Sequence, residues 1–310
     1  MAIAFRPTVV LLATYNGERF LARQLDSIRQ QTVATWNVLA SDDGSRDGTS
    51  EILEAHAQRW GTSKIRILQG PRRGFAQNFL SLVELADDKY ETFAYCDQDD
   101  IWEPDKLQRA LEWLTKQPIE RPALYCSRTI LVDPEERPFA ASPLFTKAPS
   151  FANALVQNIG SGNTMVFNKA ARDLLREAGQ DVPVISHDWW TYIVVSGCGG
   201  NIMYDATPTV LYRQHGSNLI GMNIGLKARF HGLRRLLRGE FREWTEGNLR
   251  ALDRLRHRLT PDAVRTLVRF RDAREAYFPK RLYTLRSSGV YRQTLSGSLA
   301  LYAAAAFKKI

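Results

Sequence analysis

The sequence predicts an α/β protein: a mostly parallel central sheet with helices on both faces, followed by a small basic helical region. Three observations lead there. Apolar runs of strand length alternate with longer stretches that carry apolar residues every three or four positions. The strands show little apolar–polar alternation, as expected where both sheet faces are covered. Positive charge is concentrated at one end. From Gly221 onward there are 20 Lys/Arg against 7 Asp/Glu, while the preceding residues hold 22 against 26.

The elements follow in order. Residues 8–13 form a continuous apolar run. The stretch 18–30 places Leu21, Leu25 and Ile28 on one helical face. Residues 36–41 read as a second strand. Asp47 or Thr49 caps a helix carrying Ile52, Leu53, Ala57 and Trp60. Residues 65–68 are a third strand, and Phe75, Phe79, Leu82, Val83 and Ala86 mark a third helix. Residues 92–96 are a fourth strand. Pro104 suits the first turn of a helix with Leu107, Ala110, Leu111 and Leu114. Residues 123–126 are a fifth strand and 208–211 a later one. Helices are expected over 226–238, 263–276 and 290–307. The domain reading is a body of 1–220, with halves at about 1–130 and 131–220, and a basic helical domain of 221–310.

Composition bounds the function. The chain has 310 residues, 44% hydrophobic and 24% charged, as in an ordinary globular protein. Its three cysteines lack CxxC spacing, which predicts a reducing compartment and no cysteine zinc site. The apolar run near the N-terminus is too short for a secretory leader, and no run approaches the ~20 residues of a membrane span. The expected location is cytoplasmic, or peripheral at the cytoplasmic membrane face.

In a parallel α/β sheet, ligands bind beyond the carboxyl ends of the strands. Each of those ends is polar here. They read Thr14-Tyr-Asn-Gly-Glu18, Ser41-Asp-Asp-Gly-Ser-Arg-Asp-Gly-Thr49, Gly70-Pro-Arg-Arg-Gly-Phe75 and Asp97-Gln-Asp-Asp100. One such segment is an ordinary turn; four on one sheet edge indicate a site. Three carboxylates within four residues raise each other's pKa unless a cation neutralises them. Carboxylate, phosphate and water oxygens suit Mg²⁺ or Mn²⁺. Asp97 and Asp99 are the expected metal-side pair, with Asp100 capping or orienting. The competing reading is a cap for the helix that follows.

Leu12-Ala-Thr-Tyr-Asn-Gly17, residues 41–49 and Tyr95-Cys-Asp-Gln-Asp-Asp-Ile-Trp102 together resemble the family 2 inverting glycosyltransferases with a GT-A fold, in their rhamnosyltransferase-like branch. The resemblance covers about residues 8–220. It implies a nucleotide pocket in which Thr14, Tyr15 and Glu18 line base and ribose and Asp42 accepts a hydrogen bond from the base. Asp43 instead bonds backbone amides in the 44–48 turn. Arg72 and Arg73 match a position near the diphosphate; equally, they form a surface turn. Asp97-Gln98-Asp99 corresponds to the family's DxD motif, which holds the divalent ion against the donor diphosphate. Ser186-His-Asp-Trp-Trp190 resembles the acidic motif of the acceptor side. Asp188 is then the candidate general base, or else a helix N-cap. Trp189 and Trp190 would wall a sugar site, or else one of them belongs to the core, and Asn163 would lie near the donor sugar. His215 is a candidate third metal ligand, and Arg213 would contact the diphosphate. The processive-synthase pattern QxxRW is absent.

The expected partners are a nucleoside-diphosphate sugar, with a lean towards dTDP-L-rhamnose over a UDP-sugar, and a glycan or lipid-linked acceptor in cell-surface polysaccharide synthesis. The basic region 221–310, with its amphipathic stretch 226–238, is read as a surface for an anionic membrane. It also reads as a helical subdomain that packs on the body or forms an oligomer contact. A nucleotidyltransferase would carry a Gly-rich, Arg-containing loop after the first strand, and this chain does not. A nucleic-acid binder is disfavoured because the acidic cluster has the wrong sign for a phosphate backbone. A non-catalytic scaffold related to the glycosyltransferases is the remaining alternative.

Overall fold

The computed structural model describes residues 6–61, 63–215 and 239–310. The expected 226–238 helix lies outside these. The chain begins with three strand–helix units: β1 (Thr8–Thr14), α1 (Leu21–Arg29), β2 (Trp36–Asp42), α2 (Thr49–Trp60), β3 (Ile65–Gln69) and α3 (Phe75–Leu85). Then come β4 (Thr92–Cys96), β5 (Ile101–Trp102), α4 (Lys106–Leu114), β6 (Ala123–Val132), β7 (Pro138–Ala141) and α5 (Phe151–Ala154). A short 3-10 turn at Gly162–Thr164 leads into β8 (Val166–Asn168), α6 (Lys169–Ala178), α7 (His187–Gly197) and the long strand β9 (Asn201–Arg213). Four further helices close the described chain: α8 (Glu240–Leu252), α9 (Pro261–Glu275), α10 (Lys280–Ser287) and α11 (Leu295–Ala306).

The strands form one sheet in the order β3-β2-β1-β4-β8-β6-β9-β5, with β7 beside β6. The portion β3-β2-β1-β4 is parallel, as the apolar runs imply. Beyond β4 the sheet is mixed: β8 is antiparallel to both β4 and β6, β6 and β9 are parallel, and β5 is antiparallel to β9.

The period of two along each strand divides the apolar residues between two cores. Val9 and Leu11 of β1 join Phe93 and Tyr95 against α3, α6 and α7. Val10 and Leu12 join Ala94 and Cys96 against α1, α2 and α4. The first of these cores continues without interruption into Leu249, Leu252, Phe270, Leu285 and Leu301 of the C-terminal helices. Ser150, Asn168, Thr260 and Thr294 each cap a helix by accepting a backbone N–H with the side-chain oxygen. No helix among the described residues is long and apolar enough to cross a membrane.

Candidate active site

The carboxyl ends of β1, β2 and β4 open into a cleft of about 1330 Å³. Thr14, Tyr15, Arg72, Asp97, Asp99, Asp188 and His215 all line it, so seven of the expected site residues converge.

The two nucleotide-side motifs hold each other in place. Gly17 and Glu18 donate backbone N–H groups to Thr49 Oγ1 (2.8 Å) and Asp47 Oδ2 (3.1 Å). Glu18 Oε2 accepts the Gly48 N–H (3.1 Å), so this carboxylate closes the second loop and is not among the cleft-lining residues. Asp42 is likewise drawn away from the cleft: it accepts from Thr14 Oγ1 (2.9 Å) and from the Ser45 N–H (2.9 Å). Of the adjacent pair Asp42 and Asp43, it is Asp43 that lines the cleft. It does bond backbone amides, but those of Arg72 (2.6 Å) and Gly74 (2.9 Å) in the β3–α3 turn, not those of the 44–48 turn. Gly74 has φ of +90°, a conformation open to glycine, which lets its N–H face Asp43. Arg73 leaves the cleft altogether and pairs with Asp181 at 2.5 Å.

Asp97 and Asp99 sit where β4 ends. Gln98 turns back on β1, accepting the Tyr15 N–H (2.8 Å) and donating to the Tyr15 carbonyl (3.0 Å). That contact fixes the loop so that its flanking carboxylates face the cleft. A Cβ on Gly17 would stand 2.3 Å from Gln98 Oε1, which explains the glycine. His215 Nε2 lies 2.8 Å from Asp99 Oδ2, although the two are remote in sequence. Burial, and then the charges of Asp99 and Asp188, push the Asp97 carboxyl up to about 8. Asp100 is fully buried, with its pKa held well above the usual range by burial and by Asp99 and Asp97. It accepts from Asn163 Nδ2 and from the Arg213 backbone N–H (3.2 Å).

Four expectations about the sugar end change. Asn163 is fully buried beneath Asp100 and does not line the cleft. Arg213 is 2% exposed and braces the loop from behind, donating to the carbonyls of Asp99 (3.0 Å) and Pro134 (2.7 Å) and to Glu136 (3.2 Å). Trp189 and Trp190 are core residues of α7; Trp189 Nε1 donates to the Ala154 carbonyl (2.6 Å). Packing of a helix rich in large apolar residues outweighs the use of two indoles as a surface wall. Asp188 stands in the first turn of α7, whose N-cap is Ser186. Its oxygens accept the N–H groups of Gly162 (3.1 Å) and Trp189 (2.6 Å), and it faces the cleft.

Phe20, Phe75, Ser127, Thr129, Tyr204, Tyr212 and His187 also line the cleft, and no sequence pattern gives them a role there. Ser127 and Thr129 lie on the part of β6 beyond the expected strand. His187 is quoted in the acidic motif, yet no local pattern shows that its ring stacks on Phe79 at 3.8 Å between centroids.

The fit to a divalent ion is partial on the protein side. Among the described residues no three His, Cys, Asp or Glu side chains form a group that would hold a metal by themselves. Asp97, Asp99 and His215 offer hard oxygen and imidazole donors at the mouth of an open cleft. That is the donor chemistry expected where phosphate oxygens complete the shell.

A GT-A fold with an open, carboxylate-lined cleft at the strand ends defines a class, the nucleotide-sugar-dependent transferases. Residues 9–173 match the model of glycosyl transferase family 2, and the chain belongs to that family. It is 32% identical to the dTDP-rhamnosyl transferase RfbG of Shigella flexneri over 234 residues, 72% of this chain and 78% of that one. In fold it is similar to Staphylococcus aureus TarS residues 1–349 in complex with UDP-GlcNAc, with a TM-score of 0.56 and 13% identity over 97% of this chain and 88% of the other. It is also similar to the mannosyltransferase PcManGT of Pyrobaculum calidifontis in complex with GDP-Man and Mn²⁺. There the TM-score is 0.52 with 18% identity, over 99% and 87% of the two chains. The protein is a glycosyltransferase.

Proposed function

We propose that the enzyme is inverting and divalent-metal-dependent, and that it transfers L-rhamnose from dTDP-L-rhamnose to a hydroxyl of a glycan or lipid-linked acceptor in polysaccharide synthesis. The observation that carries the site assignment is the meeting of Asp97, Asp99 and His215 in one cleft with Asp188. The rhamnose assignment is supported by the similarity to RfbG.

In this reading Tyr15 and Asp43 face the base and ribose, and Arg72 faces the diphosphate. Asp97, Asp99 and His215 would hold Mg²⁺ or Mn²⁺, which would supply positive charge to offset the negative charge developing on the leaving diphosphate. Asp188 accepts the proton of the acceptor hydroxyl. That oxygen forms the new bond to the anomeric carbon as the bond to the diphosphate oxygen breaks. The electron pair leaves on the nucleoside diphosphate. A single displacement inverts the anomeric centre. The N–H groups of Gly162 and Trp189 keep the Asp188 carboxylate oriented throughout.

The test is donor turnover. The protein is incubated with dTDP-L-rhamnose and with UDP-sugars, with Mn²⁺, Mg²⁺ or EDTA, and released nucleoside diphosphate is measured. The expected result is metal-dependent release of dTDP by transfer to water and, once a glycan acceptor is supplied, a glycoside of opposite anomeric configuration by NMR. Turnover of UDP-sugars alone discards rhamnose but keeps the class. A protein that releases nothing and binds no nucleotide is a non-catalytic scaffold.

A further inference from the structure

Away from the cleft, the C-terminal helices expose large apolar side chains that the other described residues leave uncovered. Tyr277, Phe278, Tyr283, Leu295, Leu299 and Phe307 are each between 60% and 77% exposed. Leu295, Leu299 and Phe307 stand four and then eight residues apart, with exposed Ala303 between the last two, so they run along one face of α11 and its end. The opposite face, with Leu301, Ala304 and Ala305, is buried.

These side chains belong to one neighbourhood. Arg281 Nη1 donates to the Ala305 carbonyl at 3.1 Å, which holds the start of α10 against the end of α11. Tyr277 and Phe278 precede α10, Tyr283 lies on it and Phe307 ends α11, so all four belong to this packed helix pair. Charge adds direction. Residues 276–310 contain six Lys/Arg and no Asp/Glu. Arg281 is buried by its bond to α11, and Arg292 reaches the Phe241 ring. Lys280, Arg286 and Lys308 remain exposed around the aromatic groups. Exposed aromatic and aliphatic side chains with exposed cations on the same helix pair, and Glu275 as the exposed anion just before it, complement a surface that is apolar below and negative above.

We propose that this face, formed by residues 277–286 and 295–308, docks on an anionic lipid leaflet. A second copy of the chain fits less well. A two-fold contact would bring the same cations of two copies together with no acidic residue of the segment to meet them. Docking leaves the cleft free, since none of these residues lines it. The inference goes beyond the transfer reaction and stands independently of which sugar moves; it locates the acceptor as one held at a membrane surface.

The test is co-sedimentation of the full chain with vesicles of phosphatidylcholine alone, or of phosphatidylcholine and phosphatidylglycerol in about equal parts. Two surface variants accompany it: Leu295→Ser/Leu299→Ser/Phe307→Ser and Lys280→Glu/Arg286→Glu/Lys308→Glu. The wild type is expected on the anionic vesicles only and released by high salt. Each charge lost near the surface is expected to weaken binding about five-fold. The serine variant is expected to bind at least about ten-fold more weakly. Both variants should keep the melting temperature and the donor turnover of the wild type. If donor turnover fails in the wild type, the transfer reading falls and the docking result still stands. The docking proposal is overturned if the wild type does not sediment, or if both variants sediment as it does. It is also overturned if the serine variant instead abolishes a concentration-dependent dimer.

Discussion

His187 carries the sharpest residue-scale consequence. Its ring is 3% exposed, lies against Phe79 and Tyr95, and neither nitrogen has a hydrogen-bond partner among the described residues. Burial lowers its pKa from 6.5 to about 4, against the opposing charge of Asp188. The folded state thus binds fewer protons than the unfolded state between those values. Stability rises with pH across that window and is lost as pH falls through it, by roughly 3 kcal/mol in all. His187→Phe keeps the stacking and removes both the titration and the unpaired nitrogens. Urea unfolding from pH 7 to pH 4 should show a flatter acid limb for the variant than for the wild type; parallel curves would count against this account. Asp188 belongs to the same scale. Asp188→Asn keeps the side-chain shape and one acceptor oxygen, enough for one of the Gly162 and Trp189 N–H groups, and removes the proposed proton acceptor. It should lower kcat at least about 100-fold while donor affinity stays within about two-fold. Equal losses in both would make Asp188 a positioning residue. The sequence led to Asp97, Asp99 and Asp188, which all line the cleft, because carboxylates at strand ends and helix starts stand out locally. It misplaced Glu18, Asp42, Asn163 and Arg213, because whether a polar side chain faces a ligand or braces a loop depends on contacts remote in sequence. Arg213 and Asp99 are one such pair.

At the scale of elements, the site depends on how closely the 160–164 segment approaches α7. Gly162 donates to Asp188, and a Cβ there would fall 2.5 Å from His187 Nε2 and 3.4 Å from Asp188 Cβ. The imidazole is locked between aromatic rings and has little room to yield. Gly162→Ala should therefore cost about 1–3 kcal/mol in urea unfolding and reduce turnover with it. An unchanged unfolding midpoint would mean that the segment relaxes freely. The same scale sets what was readable of the fold. β1, β2 and β4 were legible because each is an apolar run covered on both faces; β3, a half-exposed edge strand, was legible from its Ile-Arg-Ile-Leu run ahead of an amphipathic helix. β5, only two residues long, and β7, largely exposed, carry no such pattern. The antiparallel insertion of β8 between β4 and β6 is a long-range pairing that no local period encodes.

Over the whole molecule, the described C-terminal helices share the core of the sheet's α3–α6–α7 face. Trp189 of α7 stacks on Phe241 of α8 at 6.2 Å between centroids, and the Thr260 N–H donates to the Gly197 carbonyl at 3.0 Å. Removing residues 240–310 would uncover that face. The full chain should melt in one cooperative transition, and a chain ending at residue 239 should not reach a folded state. A truncated chain that melts cooperatively would show the body to be self-sufficient.

The central claim is that Asp97, Asp99 and His215 seat a divalent ion against a nucleoside diphosphate. Calorimetric titration of dTDP and UDP into wild type and Asp99→Ala, with Mn²⁺ and with EDTA, tests it most directly. The account predicts that Mn²⁺ tightens wild-type binding at least about ten-fold and that Asp99→Ala loses this gain. Binding that ignores the metal, or an equal metal gain in the variant, would contradict it.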